Sequence, residues 1–138
     1  MGIKAIIFDM DGVVVDSIPI GDKITRMILK KNGIVVSEKD EPELRKVIGL
    51  PGKEVMAHMK KYFGMKKSLE DLVKERRALE PDLIKNELRT VKGFDDFIKL
   101  IRKKYKTALA SSAVDSWVEK VENKLSIMKN FDIVVTGK

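Results

Sequence analysis

Apolar residues recur along this chain in two rhythms. A short run over residues 3–7, interrupted only by Lys4, leads through Phe8 into Asp9-Met10-Asp11-Gly12. A run of that length before a glycine predicts a buried parallel strand feeding a loop. The rhythm then becomes helical. Ile20, Ile24, Met27, Ile28 and Lys31 share one face, with Gly33 as the stop. Asp40 with Glu43, and Pro42 just inside, predict a short helix to about Val47. Gly49-Leu50-Pro51-Gly52 predicts a turn. Val55, Met56, Met59, Tyr62 and Phe63 form the next stripe, closed by Gly64, and Ser68 with Asp71 opens another through Leu69, Leu72, Val73 and Leu79. Pro81 predicts the start of one more short helix. Beyond Gly93, the residues Phe94, Phe97, Ile98, Ile101 and Tyr105 make a helix face. Residues 107–110 read as a second strand. Val114, Trp117, Val118, Val121, Leu125 and Met128 form a further helix face, and residues 133–135 a third strand.

Strand, long helical insert, then helix–strand–helix–strand predicts an α/β fold. It has a Rossmann-like parallel-sheet core, residues 1–17 and 91–138, interrupted by an all-α insertion over residues 18–90.

Charge changes this picture little. Lys and Arg number 28 against 21 Asp and Glu, a net charge of +7 over 138 residues. The basic residues are interleaved with Glu along helical patterns, and no basic–aromatic alternation accompanies them, so solvated helix faces are expected and a nucleic-acid surface is not. The absence of cysteine excludes disulfides and thiol chemistry. No apolar run approaches membrane-spanning length, and the first strand begins too early to leave room for a signal peptide, so a cytoplasmic protein without a membrane partner is expected.

Asp9 and Asp11 carry the chemistry. A spacing of two just past a strand points both carboxylates to one side, at the strand end where open α/β sheets bind ligands. Two crowded carboxylates repel unless a cation or a shared proton relieves them. Mg²⁺, a hard ion that prefers oxygen ligands, suits the pair, and one carboxylate can then serve as nucleophile while the other transfers protons. Ser111-Ser112 follows the second strand at the same sheet edge. Ser112 is expected to N-cap the next helix with Asp115 at the capping-box position, which makes that helix end an anion site.

The string Phe-Asp-Met-Asp-Gly-Val-Val-Val-Asp-Ser over residues 8–17 resembles motif I of the haloacid dehalogenase superfamily. Residues 108–112, Ala-Leu-Ala-Ser-Ser, resemble its motif II, and a helical cap inserted after motif I is the layout of the same superfamily. The resemblance implies a phosphomonoester hydrolase acting on a small phosphorylated metabolite. Asp9 would form an aspartyl-phosphate. Asp11 would be the general acid/base, and both would contribute to a Mg²⁺ site. Gly12, Ser111 and Ser112 would contact the substrate phosphoryl group, and Asp16 and Ser17 would lead into the cap.

Residues 49–54 resemble the cap loop of the β-phosphoglucomutase-like and phosphoglycolate-phosphatase-like subgroup, where Lys53 could meet a substrate anion. The sugar mutases carry an Arg in that loop and a His in the preceding linker. This chain has Gly52 and Gly21 at those positions, which argues against mutase activity, and His58, the sole histidine, reads as structural. A dehalogenase would lack Asp11. Motif III, a Lys in a Lys-Pro context, and motif IV, an acidic pair, are not found: Lys138 comes too early and no Pro follows it. The chain therefore corresponds to the N-terminal part of a typical member, expected to be inactive alone. A non-catalytic fragment that binds a partner is the other reading. With the later strands absent, the apolar first strand is expected to expose an edge through which the chain self-associates.

Overall fold

The computed structural model describes residues 2–137, so the expectation for Lys138 lies outside the described residues. The chain divides into two compact units, residues 1–17 with 87–138, and residues 18–86.

The first unit is α/β. Three strands, β1 (Ala5–Phe8), β2 (Lys106–Val114) and β3 (Ile133–Gly137), form a parallel sheet in the order β1-β2-β3. Ile7 pairs with Ala108, which pairs with Ile133, and Phe8 pairs with Leu109, which pairs with Val134. Two helices of this unit, α5 (Phe94–Ile101) and α6 (Asp115–Leu125), precede and follow β2. Parallel crossovers are almost always right-handed, and both steps here move the same way across the sheet, so both helices fall on one face. Burial agrees. Phe8 and Leu109 are buried, and Phe8 packs edge-on against Phe94, Phe97 and Phe131. The opposite face is bare: Ile7 is 70% exposed, Ile133 62% and Val135 58%. The both-sides burial expected for the first strand is therefore not found; among the described residues one side of β1 lacks a neighbouring strand and one face lacks a covering layer. Asp132 fixes the start of β3 by accepting the Thr107 N–H at 2.8 Å.

The second expected strand is longer than its apolar core. Hydroxyl residues after an apolar run suggested a helix cap, but β2 continues through Ser111 and Ser112 to Val114, with a bulge between Ala110 and Val114. Val114, not Ser112, is the N-cap residue of α6, and no side-chain cap bond forms there. Asp115 accepts instead from Thr136 Oγ1 at 2.9 Å, which ties α6 to β3.

The second unit is helical: α1 (Ile18–Lys31), a 3₁₀ turn (Glu38–Asp40), α2 (Glu41–Arg45), α3 (Gly52–Phe63) and α4 (Leu69–Glu87), whose last residue falls in the first unit. Gly64 closes α3 in the left-handed conformation at φ 62°. Ser68 Oγ accepts the Asp71 N–H at 3.1 Å, as the sequence predicts. The carboxylate of Asp40 turns back to accept from the Ser37 N–H and Oγ, at 2.9 and 2.6 Å, and so caps the turn before α2, not α2 itself. Pro81 starts no new helix. It lies exposed inside α4, where the carbonyl it leaves unbonded can turn to water and the helix continues. His58 Nε2–H donates to the Glu43 carboxylate at 2.9 Å, a structural role.

Candidate active site

Phe8 anchors the site from below. Beyond it the chain alternates: Asp9 is exposed, Met10 is fully buried, and Asp11 is half-buried. Met10 thus pins the loop to the core while its two acidic neighbours remain reachable from solvent. The loop curls tightly after Met10. The Met10 carbonyl accepts from the N–H groups of Val14 and Val15 at 3.0 and 2.9 Å, and Gly12 N–H donates to the Val15 carbonyl at 2.7 Å. Gly12 makes the turn at φ 78°, a conformation that strains any side chain with a Cβ. Val14 and Val15 are buried. Asp16 N–H and Val91 N–H bond across to Arg89 and Val14 carbonyls, which locks the loop to the strand-like segment that leads into α5.

The two carboxylates are held differently. Asp9 Oδ1 accepts the Met10 N–H at 2.8 Å, while its Oδ2 accepts no hydrogen bond among the described residues. Asp11 Oδ1 accepts two: from Ser17 Oγ at 2.5 Å and from the Trp117 indole N–H at 3.0 Å. Ser17 is buried. Loading both donors on one oxygen fixes the carboxylate plane and leaves Oδ2 available. Trp117 belongs to α6, and its bond spans 106 positions of sequence. The helix after β2 is thereby wired to the loop after β1.

Ser111 stands two residues beyond Leu109, the β2 partner of Phe8, at the same end of the sheet as Asp9. Its Oγ accepts the Ala113 N–H at 3.1 Å, so the hydroxyl proton is left to donate elsewhere. The bulge at Ser111–Ala113 is pressed by β3: a Cβ on Gly137 would lie 2.5 Å from the Ser112 carbonyl oxygen. Asp9, Asp11, Gly12, Ser111 and Ser112 all belong to the α/β unit. Lys53 does not; it is exposed on the first turn of α3 in the helical unit. Among the described residues no group of three or more acidic, His or Cys side chains could hold a metal ion. The donors present are nonetheless hard carboxylate oxygens, and Mg²⁺ is commonly held by one or two carboxylates together with water and substrate phosphate. Asp9 and Asp11 suit that ion by donor type.

Sequence reasoning counted Trp117 only as an apolar helix position. Its being the sole tryptophan, one helix turn past the hydroxyl pair, was the available signal.

Residues 6–138 match the haloacid dehalogenase-like hydrolases, and the chain belongs to that family. It is similar to a phosphorylated carbohydrates phosphatase of Thermotoga maritima, with 27% identity over 97% of this chain and 61% of the relative. It therefore spans about three-fifths of the length of this curated relative. Among solved structures, a Thermotoga maritima protein with the provisional name β-phosphoglucomutase superposes with a TM-score of 0.76 and 26% identity, covering 98% of this chain and 62% of that one. CbbY of Rhodobacter sphaeroides, in complex with xylulose-1,5-bisphosphate, has the same fold, with a TM-score of 0.70 and 18% identity over 99% of this chain and 64% of that one. The α/β fold with a parallel sheet is thus shared with these structures.

Proposed function

We propose that this member of the haloacid dehalogenase-like hydrolases carries the nucleophile and phosphate cradle of a Mg²⁺-dependent phosphomonoester hydrolase. The observation that carries the reading is the asymmetric pair: Asp9 with an unbonded oxygen, beside Asp11 with one oxygen doubly held. The two carboxylates are thereby prepared for different tasks.

Asp9 Oδ2 attacks the phosphorus of the ester, and the bond from phosphorus to the alcohol oxygen breaks. Asp11 Oδ2 delivers a proton to the departing alkoxide. A water then attacks the aspartyl-phosphate and gives its proton to Asp11, so inorganic phosphate leaves and both carboxyls return to their starting states. Proton transfer of this kind contributes roughly 10²–10⁴-fold. Ser111 Oγ donates to a phosphoryl oxygen with the proton that Ala113 leaves unused, and the Ser112 N–H adds a contact; the Gly12 N–H is taken by the Val15 carbonyl, so Gly12 serves the turn rather than the phosphate. The Asp9 carboxylate and the Asp11 backbone carbonyl would hold Mg²⁺, which would supply neutralisation of phosphoryl charge.

The helical unit, residues 18–86, takes the role of the cap domain and the α/β unit that of the core, and Lys53 is a candidate for a substrate anion. The name of the Thermotoga phosphatase and the bisphosphate held by CbbY favour a phosphorylated carbohydrate as substrate. Mutase activity is disfavoured by Gly21 and Gly52. Among the described residues no helix is long and apolar enough to cross a membrane; with the absence of cysteine, this supports a cytoplasmic setting. The chain spans about three-fifths of the length of the Thermotoga phosphatase, and low turnover of these residues alone is expected. A calorimetric titration with Mg²⁺ tests the site: binding is expected, and Asp9→Asn should abolish it. Unchanged binding in that variant would contradict the assignment.

A further inference from the structure

Arg76 lies inside the helical unit on α4, with its side chain only 13% exposed. An arginine offers five N–H donors, and few of them are used here. Nη1 reaches Thr25 Oγ1 at a long 3.4 Å, and that hydroxyl already donates its own proton to the Gly21 carbonyl at 2.8 Å. Nε is buried with no hydrogen-bond partner. Glu80, one turn along the same helix, stands 3.8 Å from Nε, too far for a hydrogen bond. Burial pulls the Arg76 pKa down and the Glu80 charge only partly restores it; the guanidinium remains a cation at any physiological pH.

A buried cation with idle donors is unfavourable unless a partner offsets the lost hydration. A purely structural arginine would reach a carboxylate or carbonyl at hydrogen-bond distance, as Arg26 does with Asp22 and Glu41 at 2.8–2.9 Å in this same unit. The backbone around Arg76 is cleared instead. A Cβ on Gly52 would lie 2.5 Å from Nε and 2.9 Å from Cδ, and one on Gly21 would lie 3.8 Å from Nη2. Neither glycine has the positive φ that would call for glycine on backbone grounds. At Gly52 the room for the guanidinium is the reason on the page.

We propose that Arg76, with Thr25, forms an anion site in the helical unit that receives a phosphoryl or carboxylate group, the missing side chain at Gly52 giving the guanidinium room to lie there. The planar guanidinium presents Nε and one terminal nitrogen as a parallel fork, which matches two oxygens of such a group. The Thr25 hydroxyl, oriented by the Gly21 carbonyl, holds Nη1 and sets the plane of that fork. The Glu80 carboxylate would repel the anion in part, so moderate affinity and easy release are expected. The anion is either free inorganic phosphate or the phosphate of a sugar phosphate.

The test is NMR of the full chain labelled with ¹⁵N-arginine, following the Arg76 Nε–H resonance. Inorganic phosphate is added in one arm and glucose 6-phosphate in the other. The Arg76 resonance is expected to shift and saturate, while that of exposed Arg45 drifts without saturating. Saturation at lower concentrations of glucose 6-phosphate identifies the ester as the ligand; equal concentrations identify the free anion. Asp9→Asn should leave the titration unchanged, so failure of the catalytic assignment and failure of this site are read separately. Arg76→Lys, compared with Arg76 by calorimetry in the Asp9→Asn background, should weaken phosphate binding roughly tenfold, because a point charge cannot make two parallel bonds. Gly52→Ala, which crowds Nε, should weaken it too. An Arg76 resonance in the unsubstituted protein that stays fixed, or drifts as Arg45 does, would overturn the proposal.

Discussion

The bond between Trp117 and Asp11 can be measured by itself. Trp117→Phe removes the indole N–H while keeping an aromatic ring on α6. A hydrogen bond to a charged group is worth about 1.5–3 kcal/mol when its partner is left without a substitute. Asp11 is half-buried and Ser17 Oγ still donates to the same oxygen, so water and Ser17 recover part of the loss. The low end, about 1.5 kcal/mol, is the expected coupling. For a chain of this length that is a fall in Tm of roughly 6 °C. Loss of the larger ring adds to the total, so the single variant does not isolate the bond. The assay is a double-mutant cycle with Asp11→Ala, with urea unfolding followed by far-UV circular dichroism, a signal that does not depend on the lost indole. If the two substitutions act independently, their effects add to within about 0.3–0.5 kcal/mol. Additivity of that quality would show that the 3.0 Å bond does not contribute in solution, and the wiring of α6 to the catalytic loop would fall with it.

Other outcomes follow from the same geometry. Because Trp117 is the sole tryptophan and touches Asp11, adding Mg²⁺ or phosphate should change its emission in the wild type and not in Asp9→Asn; emission that ignores both ligands would place binding elsewhere. Gly137→Ala pushes a methyl group against the Ser112 carbonyl, which should destabilise by about 1–3 kcal/mol and weaken phosphate binding at Ser111; an unchanged urea midpoint would refute the close approach. The Thr107 N–H, aided by Lys106, holds the Asp132 carboxyl below its ordinary range. A depressed folded pKa adds stability above the unfolded value near ~4 and loses it as pH falls through the folded value, so the urea midpoint of wild type should drop more steeply below pH 4 than that of Asp132→Asn. Light scattering should show self-association through the open β1 edge and the bare face, reduced by Ile7→Glu with Ile133→Glu; a monomer at all concentrations would contradict this.

The alternation of elements was legible because each apolar rhythm matched its structure: four helices between strands, then two more around β2. The position of Asp9 and Asp11 just past β1 was legible for the same reason, since an apolar strand feeding a glycine turn puts the residues between them at the strand's end. The course of β2 was not. Ser111 and Ser112 look like cap residues locally, and only pairing with β3, with Gly137 pressed on the bulge, extends the strand through them. Trp117 occupies an apolar helix position, and nothing nearby in sequence shows that its indole reaches across to residue 11. Arg76 sits in the polar sequence of α4 like any solvated arginine; its burial depends on α1 and α3 closing over it at two glycines.

The most direct test of the central claim is to trap the phosphoenzyme. The protein as its gene encodes it is incubated with Mg²⁺ and a radiolabelled sugar phosphate, quenched in acid, and mapped by peptide mass spectrometry. The account predicts label on Asp9, retained or increased in Asp11→Asn and absent from Asp9→Asn. Label on another residue, or an Asp9→Ala protein that keeps most of its turnover, would contradict it.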